Sequence, residues 1–359
     1  RWDSLVANGP AWHDRFPNLT FDNVDPDGFA SREPIVSFFE DYTRKIDAPV
    51  RCGVNITDLR RIPEGFLATS PSGTIACRRV VVATGPFQKP LIPTLVPAEA
   101  GVTQIHSNTY KNPEQIPEGA VLVIGPGSSG AQIADELLRA GRKVYLAIGP
   151  HDRPPRRYRG HDFVWWLGVL GMWDSKAATT EGDHVTISVS GARGGHTVDF
   201  RELASRGMNL VGKATHYENG TIRFSDDLAA NIARGDANYL SMLDLADAYA
   251  EREGLDLPTE PDARIIGPDP ACVTDPILYL DLGKANVTPI ILATGYALDF
   301  SWLEPDMLDS KGNPLHQNGI AECPGLYFLG LPGLTRRASP FIWGSWHDAS
   351  LIADHMAQR

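Results

Sequence analysis

Four short apolar runs punctuate the chain: Arg79-Val80-Val81-Val82-Ala83-Thr84-Gly85, Val121-Leu122-Val123-Ile124-Gly125, Lys143-Val144-Tyr145-Leu146-Ala147-Ile148 and Pro289-Ile290-Ile291-Leu292-Ala293-Thr294-Gly295. They are continuous rather than alternating, the pattern of central strands covered on both faces. Stretches with helical spacing lie between them, above all Ala131 to Ala140 and Asp226 to Glu253. Strands alternating with helices predict an α/β protein built on a parallel sheet. The first and last runs close on the same Ala-Thr-Gly turn, where glycine allows positive φ or a close approach of the backbone to a ligand. The Pro-rich segments Pro86 to Pro97 and Pro113 to Pro117 read as crossovers between domains.

Length and composition narrow the class. With 359 residues there is room for two domains, and 42% hydrophobic with 21% charged residues excludes disordered and fibrous chains. The 33 Lys+Arg and 44 Asp+Glu give a formal net charge of −11, a field that repels phosphate backbones and anionic lipid, so neither nucleic acid nor a membrane is expected as a partner. No apolar run approaches the roughly 18 residues needed to span a bilayer. The 4 cysteines, Cys52, Cys77, Cys272 and Cys323, form no C-x-x-C pair, which argues for reduced thiols in a cytoplasmic protein and against cysteine chemistry in turnover. Neither H-E-x-x-H nor G-x-S-x-G occurs, so no metal site and no serine hydrolase is expected.

The strongest chemical signal is Gly125-Pro126-Gly127-Ser128-Ser129-Gly130. It follows an apolar strand, opens a helix and is succeeded by a second strand, which is the context a dinucleotide fingerprint requires. Gly125 would make the tight turn, Gly127 would let the backbone reach a pyrophosphate, and Gly130 would let helix and sheet pack closely. The helix amino end supplies N–H donors and a positive dipole end for phosphate. After the second strand an NAD enzyme would carry Asp or Glu. Here Arg153, Arg156, Arg157 and Arg159 follow, with Asp152 as the discordant residue. Guanidinium forks suit a 2′-phosphate, so NADPH is expected over NADH.

Several segments in order resemble the flavin-containing monooxygenases, in a bacterial branch of flavoprotein oxidoreductases. They are Arg1-Trp2-Asp3-Ser4-Leu5, Ala83-Thr84-Gly85-Pro86-Phe87-Gln88, His106 with Tyr110, Gly125 to Gly130, Pro155 to Trp166, Ala293-Thr294-Gly295-Tyr296, Gly325 to Gly330, and Arg336 through Ile342-Trp343-Gly344-Ser345-Trp346-His347-Asp348-Ala349. The resemblance implies two nested Rossmann-like domains. FAD would be bound by 1–115 and 286–359, NADPH by 116–285 with a helical elaboration at about 175–261, and the two Ala-Thr-Gly turns would be hinges between them.

It further implies cofactor contacts from Trp2, Asp3, Ser4, Ala83, Thr84, Gly85, Gln88, Gly125, Gly127, Ser128, Ser129, Gly130, Ala293, Thr294, Gly295, Gly330, Trp346, His347 and Asp348, joined by Arg153, Arg156 and Arg157 from the basic loop. Asn8 matches an Asn whose amide lies beside the flavin and NADP, and is the candidate catalytic residue. The implied chemistry is monooxygenation through a C4a-hydroperoxyflavin, with a small N-, S- or carbonyl-containing substrate and O2 as partners. An NADPH oxidase or flavin reductase without oxygenation, and a non-catalytic NADP-binding protein, are the alternatives. Family members open with a further Gly motif ahead of the segment matching Arg1-Trp2-Asp3-Ser4. Either the sequence begins part-way into a longer product or that FAD phosphate site is lacking. A homo-oligomer is left open.

Overall fold

The computed structural model describes residues 1–176 and 186–358. The elements that place the candidate site are β1 (Val80–Val82), β2 (Thr103–His106), β3 (Ala120–Ile124), α1 (Ser128–Arg139), β4 (Val144–Ala147), β5 (Asn209–Val211), α2 (Leu228–Glu253), β6 (Val287–Leu292), β7 (Leu326–Phe328) and α3 (Ile342–Ala357).

Five strands pair in the order β5-β4-β3-β6-β2, all parallel, with Ile124 opposite both Ala147 and Leu292. Alternate side chains divide between two cores. Val121, Val123, Val144, Leu146 and Ile291 pack against Ile133, Ala134 and Leu137 of α1. Leu122, Tyr145, Ala147, Ile290 and Leu292 pack instead against Ile222, Phe224 and Leu280. Those last residues belong to an antiparallel meander of Ala214–Glu218, Thr221–Phe224 and Tyr279–Asp281. The apolar runs are therefore continuous because both faces are covered, one by helix and one by sheet. From β3 the chain builds outward to β4 and β5 on one side, while β6 and β2 lie on the other. In open parallel sheets the crevice at such a reversal, beyond the carboxyl ends of the strands, is where ligands bind.

The expected domain boundaries cut through this sheet. Both β2 and β6 fall in the segments assigned to an outer domain, yet their ladders join them to the strand of the Gly motif. The elaboration placed at about 175–261 is only partly helical: it contributes β5, two strands of the meander and α2, and its residues 177–185 lie outside the described residues. The run around Val80 also differs from expectation. Strand β1 is the edge of a smaller four-stranded sheet, paired in parallel with β7, and Val81 is 41% exposed, so one face is open. Its other face joins a core of Leu59, Phe66, Val82, Phe300, Leu326 and Phe328.

Helix α2 runs from the sheet to a separate cluster, where Leu243 and Ala246 meet Tyr158 and Trp166. It ends at Gly254, whose φ of 64° suits a left-handed cap that other residues adopt at a cost. No helix among the described residues is long and apolar enough to cross a membrane.

Candidate functional site

Each glycine of the motif answers to a specific close approach. Gly125 has φ 114°, and a Cβ there would lie 2.4 Å from the carbonyl oxygen of Ala293. A Cβ on Gly130 would lie 1.9 Å from the Gly125 oxygen and 3.1 Å from Ala293 Cβ. Gly127 is the residue before α1, and a Cβ on it would meet Thr186 Cγ2 at 2.9 Å. Side chains larger than hydrogen would fill the cradle or push the helix off the sheet. Ser128 is half-buried and donates its hydroxyl to the Ile187 carbonyl at 3.0 Å, while Ser129 stands half-buried in the first turn.

An open cleft of about 1080 Å³ lies over the carboxyl ends of β3 and β4. Gly125, Gly149, Thr294, Lys213 and His216 are among its lining. The cradle, the helix amino end and the volume fit a dinucleotide whose phosphates meet main-chain N–H groups.

The basic loop goes elsewhere. Arg153 is buried and bonds Asp236 at 2.7 Å, in a network that adds Arg201 and Asp269, with its guanidinium 4.7 Å from the Tyr239 ring centre. Arg156 is 2% exposed, forks onto Asp162, donates to the Asn8 carbonyl at 2.6 Å and lies 4.8 Å over Phe29. Arg159 is tied to Asp247 and the Pro258 carbonyl. Only Arg157 of the four is exposed, beside Phe29. Arg153 and Arg156 are thus internal struts, which corrects their assignment to a 2′-phosphate: both guanidiniums are buried and already paired with carboxylates, and neither they nor Arg157 lines the cleft. The cation at the cleft is Lys213. Sequence reading passed over it, although Gly212-Lys213 directly follows the apolar Leu210-Val211.

The remaining candidates gather in four places. Trp2, Asp3 and Ser4 dock on the flank of α1: Trp2 is in the core, Ser4 donates to Glu136 at 2.6 Å, and Asp3 pairs with Arg32 at 2.6 Å and Asn112 at 2.7 Å. Ala83, Thr84 and Gly85 continue from β1, and Gly330 follows its partner β7. Gln88 ties this turn together, donating to Thr84 and the Gly85 carbonyl and accepting from the Asp299 N–H at 2.6 Å. The second Ala-Thr-Gly turn is held by His106, whose Nε2 lies 3.0 Å from the Gly295 carbonyl. In α3, Trp346 stacks on His347 at 3.6 Å. His347 Nε2 and Asp348 Oδ2 are buried with no hydrogen-bond partner. Orphaned polar atoms of this kind ask for a ligand, and they fit the polar edge of a bound flavin.

Asn8 stands apart from that helix. Its amide oxygen accepts from Gln132 of α1 at 2.8 Å, and it borders a mostly apolar cavity of about 200 Å³ lined also by Ser128, Phe163, Leu167 and Trp173.

Burial depresses the His151 imidazole, and the Arg153 charge acts the same way against the Gly149 carbonyl that it bonds. The native state holds it neutral while the unfolded chain takes up a proton below its ordinary pKa of about 6.5, so stability falls as pH drops from there towards the lower native value. Denaturant midpoints measured between about pH 7 and 5 should fall more steeply for the unmodified protein than for His151→Asn.

A family model described as pyridine nucleotide-disulphide oxidoreductase matches residues 13–162. An uncharacterized CzcO-like oxidoreductase of Geobacillus kaustophilus is 31% identical over 98% of this chain and 85% of its own length. The chain belongs to the CzcO-like oxidoreductases. The flavin-containing monooxygenase iboF of Amanita muscaria is 30% identical over a shorter stretch, 36% of this chain and 25% of its own length. Among solved structures, the flavin-containing monooxygenase from Stenotrophomonas maltophilia superposes with a TM-score of 0.64 at 16% identity, covering 99% of this chain and 86% of its own. The OTEMO complex with FAD and NADP gives 0.52 at 15% identity, over 100% and 78% of the two chains. The fold is the α/β architecture of two-dinucleotide flavoproteins, and the protein is an oxidoreductase of this FAD- and NADPH-dependent family.

Proposed function

We propose that the protein oxygenates a small substrate at a nitrogen, sulfur or carbonyl carbon, using NADPH and O2. NADPH is held in the cleft by the Gly125 to Gly130 cradle and by Lys213. FAD is held by the segments that converge outside the central sheet: the Ala83-Thr84-Gly85 turn with Gln88, Gly330, and Trp346, His347 and Asp348 of α3. The outer segments and the sheet then form the two nested domains of the family. When bound, reduced flavin supplies the activation of dioxygen; the protein's share is to orient, to exclude water and to hold donors.

Asn8 carries the reading. Its carbonyl is clamped by buried Arg156 and its amide oxygen by Gln132 of the cradle helix, so the remaining amide N–H₂ is directed by two fixed contacts beside an apolar cavity. A fixed donor next to a dry pocket suits oxygen transfer, because stray water or protons divert activated oxygen to peroxide. In Asn8→Leu, flavin reduction by NADPH should stay within about twofold, since the cradle is untouched. Oxygen consumption should shift from product to hydrogen peroxide, because one positioned donor supplies about 2.7–4 kcal/mol where charge develops. Unchanged coupling in that variant would return Asn8 to a structural turn.

A further inference from the structure

The cavity beside Asn8 holds a second arrangement that the reading above does not use. His13 is 4% exposed, and its imidazole packs against two neighbouring indoles, 5.2 Å from Trp173 and 5.1 Å from Trp343, whose own ring centres are 6.3 Å apart. Its Nδ1 meets Asp14 Oδ1 at 2.9 Å, and Asp14 is oriented by the Gly9 N–H at 3.1 Å. A carboxylate only accepts, so Nδ1 carries a hydrogen, and in the ring protonated at Nδ1 alone Nε2 is an acceptor. That Nε2 is buried with no partner.

His13 and Arg337 both line the cavity with Phe163, Leu167 and Phe341. The Arg337 main chain is fixed by the Ser175 carbonyl at 2.9 Å, but its guanidinium has no hydrogen bond or ion pair among the described residues. Asp152 feels its charge without pairing to it; burial pushes that carboxyl up while Arg234 and Arg337 hold it down. The buried His13 acceptor left unpaired is costly unless a ligand satisfies it, and the half-buried, unpaired Arg337 guanidinium on the same cavity is available to the same ligand.

We propose that this cavity binds a small apolar carboxylate bearing an N–H or O–H donor, of the amino acid or hydroxy acid class. The carboxylate meets Arg337, whose fork matches it with two parallel hydrogen bonds. The donor meets His13 Nε2, and the carbon chain fills the apolar part. The volume of about 200 Å³ equals roughly seven waters at about 30 Å³ each, the scale of leucine or methionine. The proposal rests on the monooxygenase reading only in making this ligand the substrate; binding itself is read without turnover.

The test titrates the purified holoenzyme, without NADPH, with L-leucine and L-methionine, with the amines lacking the carboxylate, and with the acids lacking the amino group. Calorimetry and the fluorescence of Trp173 and Trp343 report binding. The amino acids should bind at least tenfold more tightly than the amines. Arg337→Gln should abolish that preference, and Arg337→Lys should restore part of it. His13→Leu should weaken the amino acids towards the des-amino acids, which it leaves unchanged, with thermal melts confirming the fold of each variant. Equal affinity for acids and amines, no binding by any probe at millimolar concentration, or an Arg337→Gln variant that keeps the preference would overturn the proposal. Displacement of the probes by NADP⁺ would assign Arg337 to the coenzyme and overturn it too. Selective binding that never stimulates NADPH-dependent oxygen uptake would sink the monooxygenase reading of this pocket and leave the site standing.

Discussion

Arg156→Ala should lose about 3–5 kcal/mol of folding stability while its ratio of NADPH to NADH use stays unchanged. Removing one partner of a buried ion pair strands the other charge, and that cost exceeds any contact at the surface. Asp162, the stranded carboxylate, also caps the helix Phe163–Val169 by accepting from the Val164 N–H at 2.9 Å. The loss therefore reaches the wall of the cavity beside Asn8. Arg156→Lys should recover little, because an ammonium cannot reproduce the fork onto Asp162 together with the bond to the Asn8 carbonyl. Urea unfolding and coenzyme KM values on the same preparations check it. A variant of normal stability that has lost its preference for NADPH would restore the basic loop as the 2′-phosphate site.

Lys213→Ala should behave in the opposite way. Folding should be nearly unaffected, since the side chain is exposed at the cleft and only its main chain is engaged, its N–H donating to Asp227 at 3.0 Å and its carbonyl accepting from the Ser225 N–H at 2.9 Å. The KM for NADPH should rise about ten- to a hundredfold and that for NADH hardly at all, the equivalent of losing one charge-assisted contact of about 1.5–3 kcal/mol. Lys213→Arg should keep most of the preference. A parallel rise for both coenzymes would mean that the lysine meets the shared part of the dinucleotide.

The central strands were legible because burial on both faces leaves an unbroken apolar run, and the Gly motif because its three glycines serve short-range packing that sequence spacing encodes. The arginines misled for a physical reason. Charge in a loop reads as solvated or ligand-binding when its partners are remote, and Asp236 is far along the chain from Arg153. The same blindness hid Lys213, which follows a strand too short to stand out, and the His13 cluster, where Trp173 comes from the middle of the chain and Trp343 from near its end. Strand β1 misled differently: three valines look central, but coverage depends on neighbours that local pattern does not contain.

The hydrogen-sized clearances around Ala293 decide how the protein could be recombined. Gly125, Gly130 and Ala293 meet with no room for a methyl group, so the end of β6 and the start of α1 move as one body. Any pivot at the second Ala-Thr-Gly turn must lie after Ala293, at Thr294 and Gly295. A coenzyme module grafted from a relative as the contiguous stretch 116–285 would arrive without β2 and β6 and would have to rebuild that contact against foreign strands. A graft that carries residues 103–106 and 287–293 along with it keeps the interlock intact, and chimeras cut in this way should be the ones that fold.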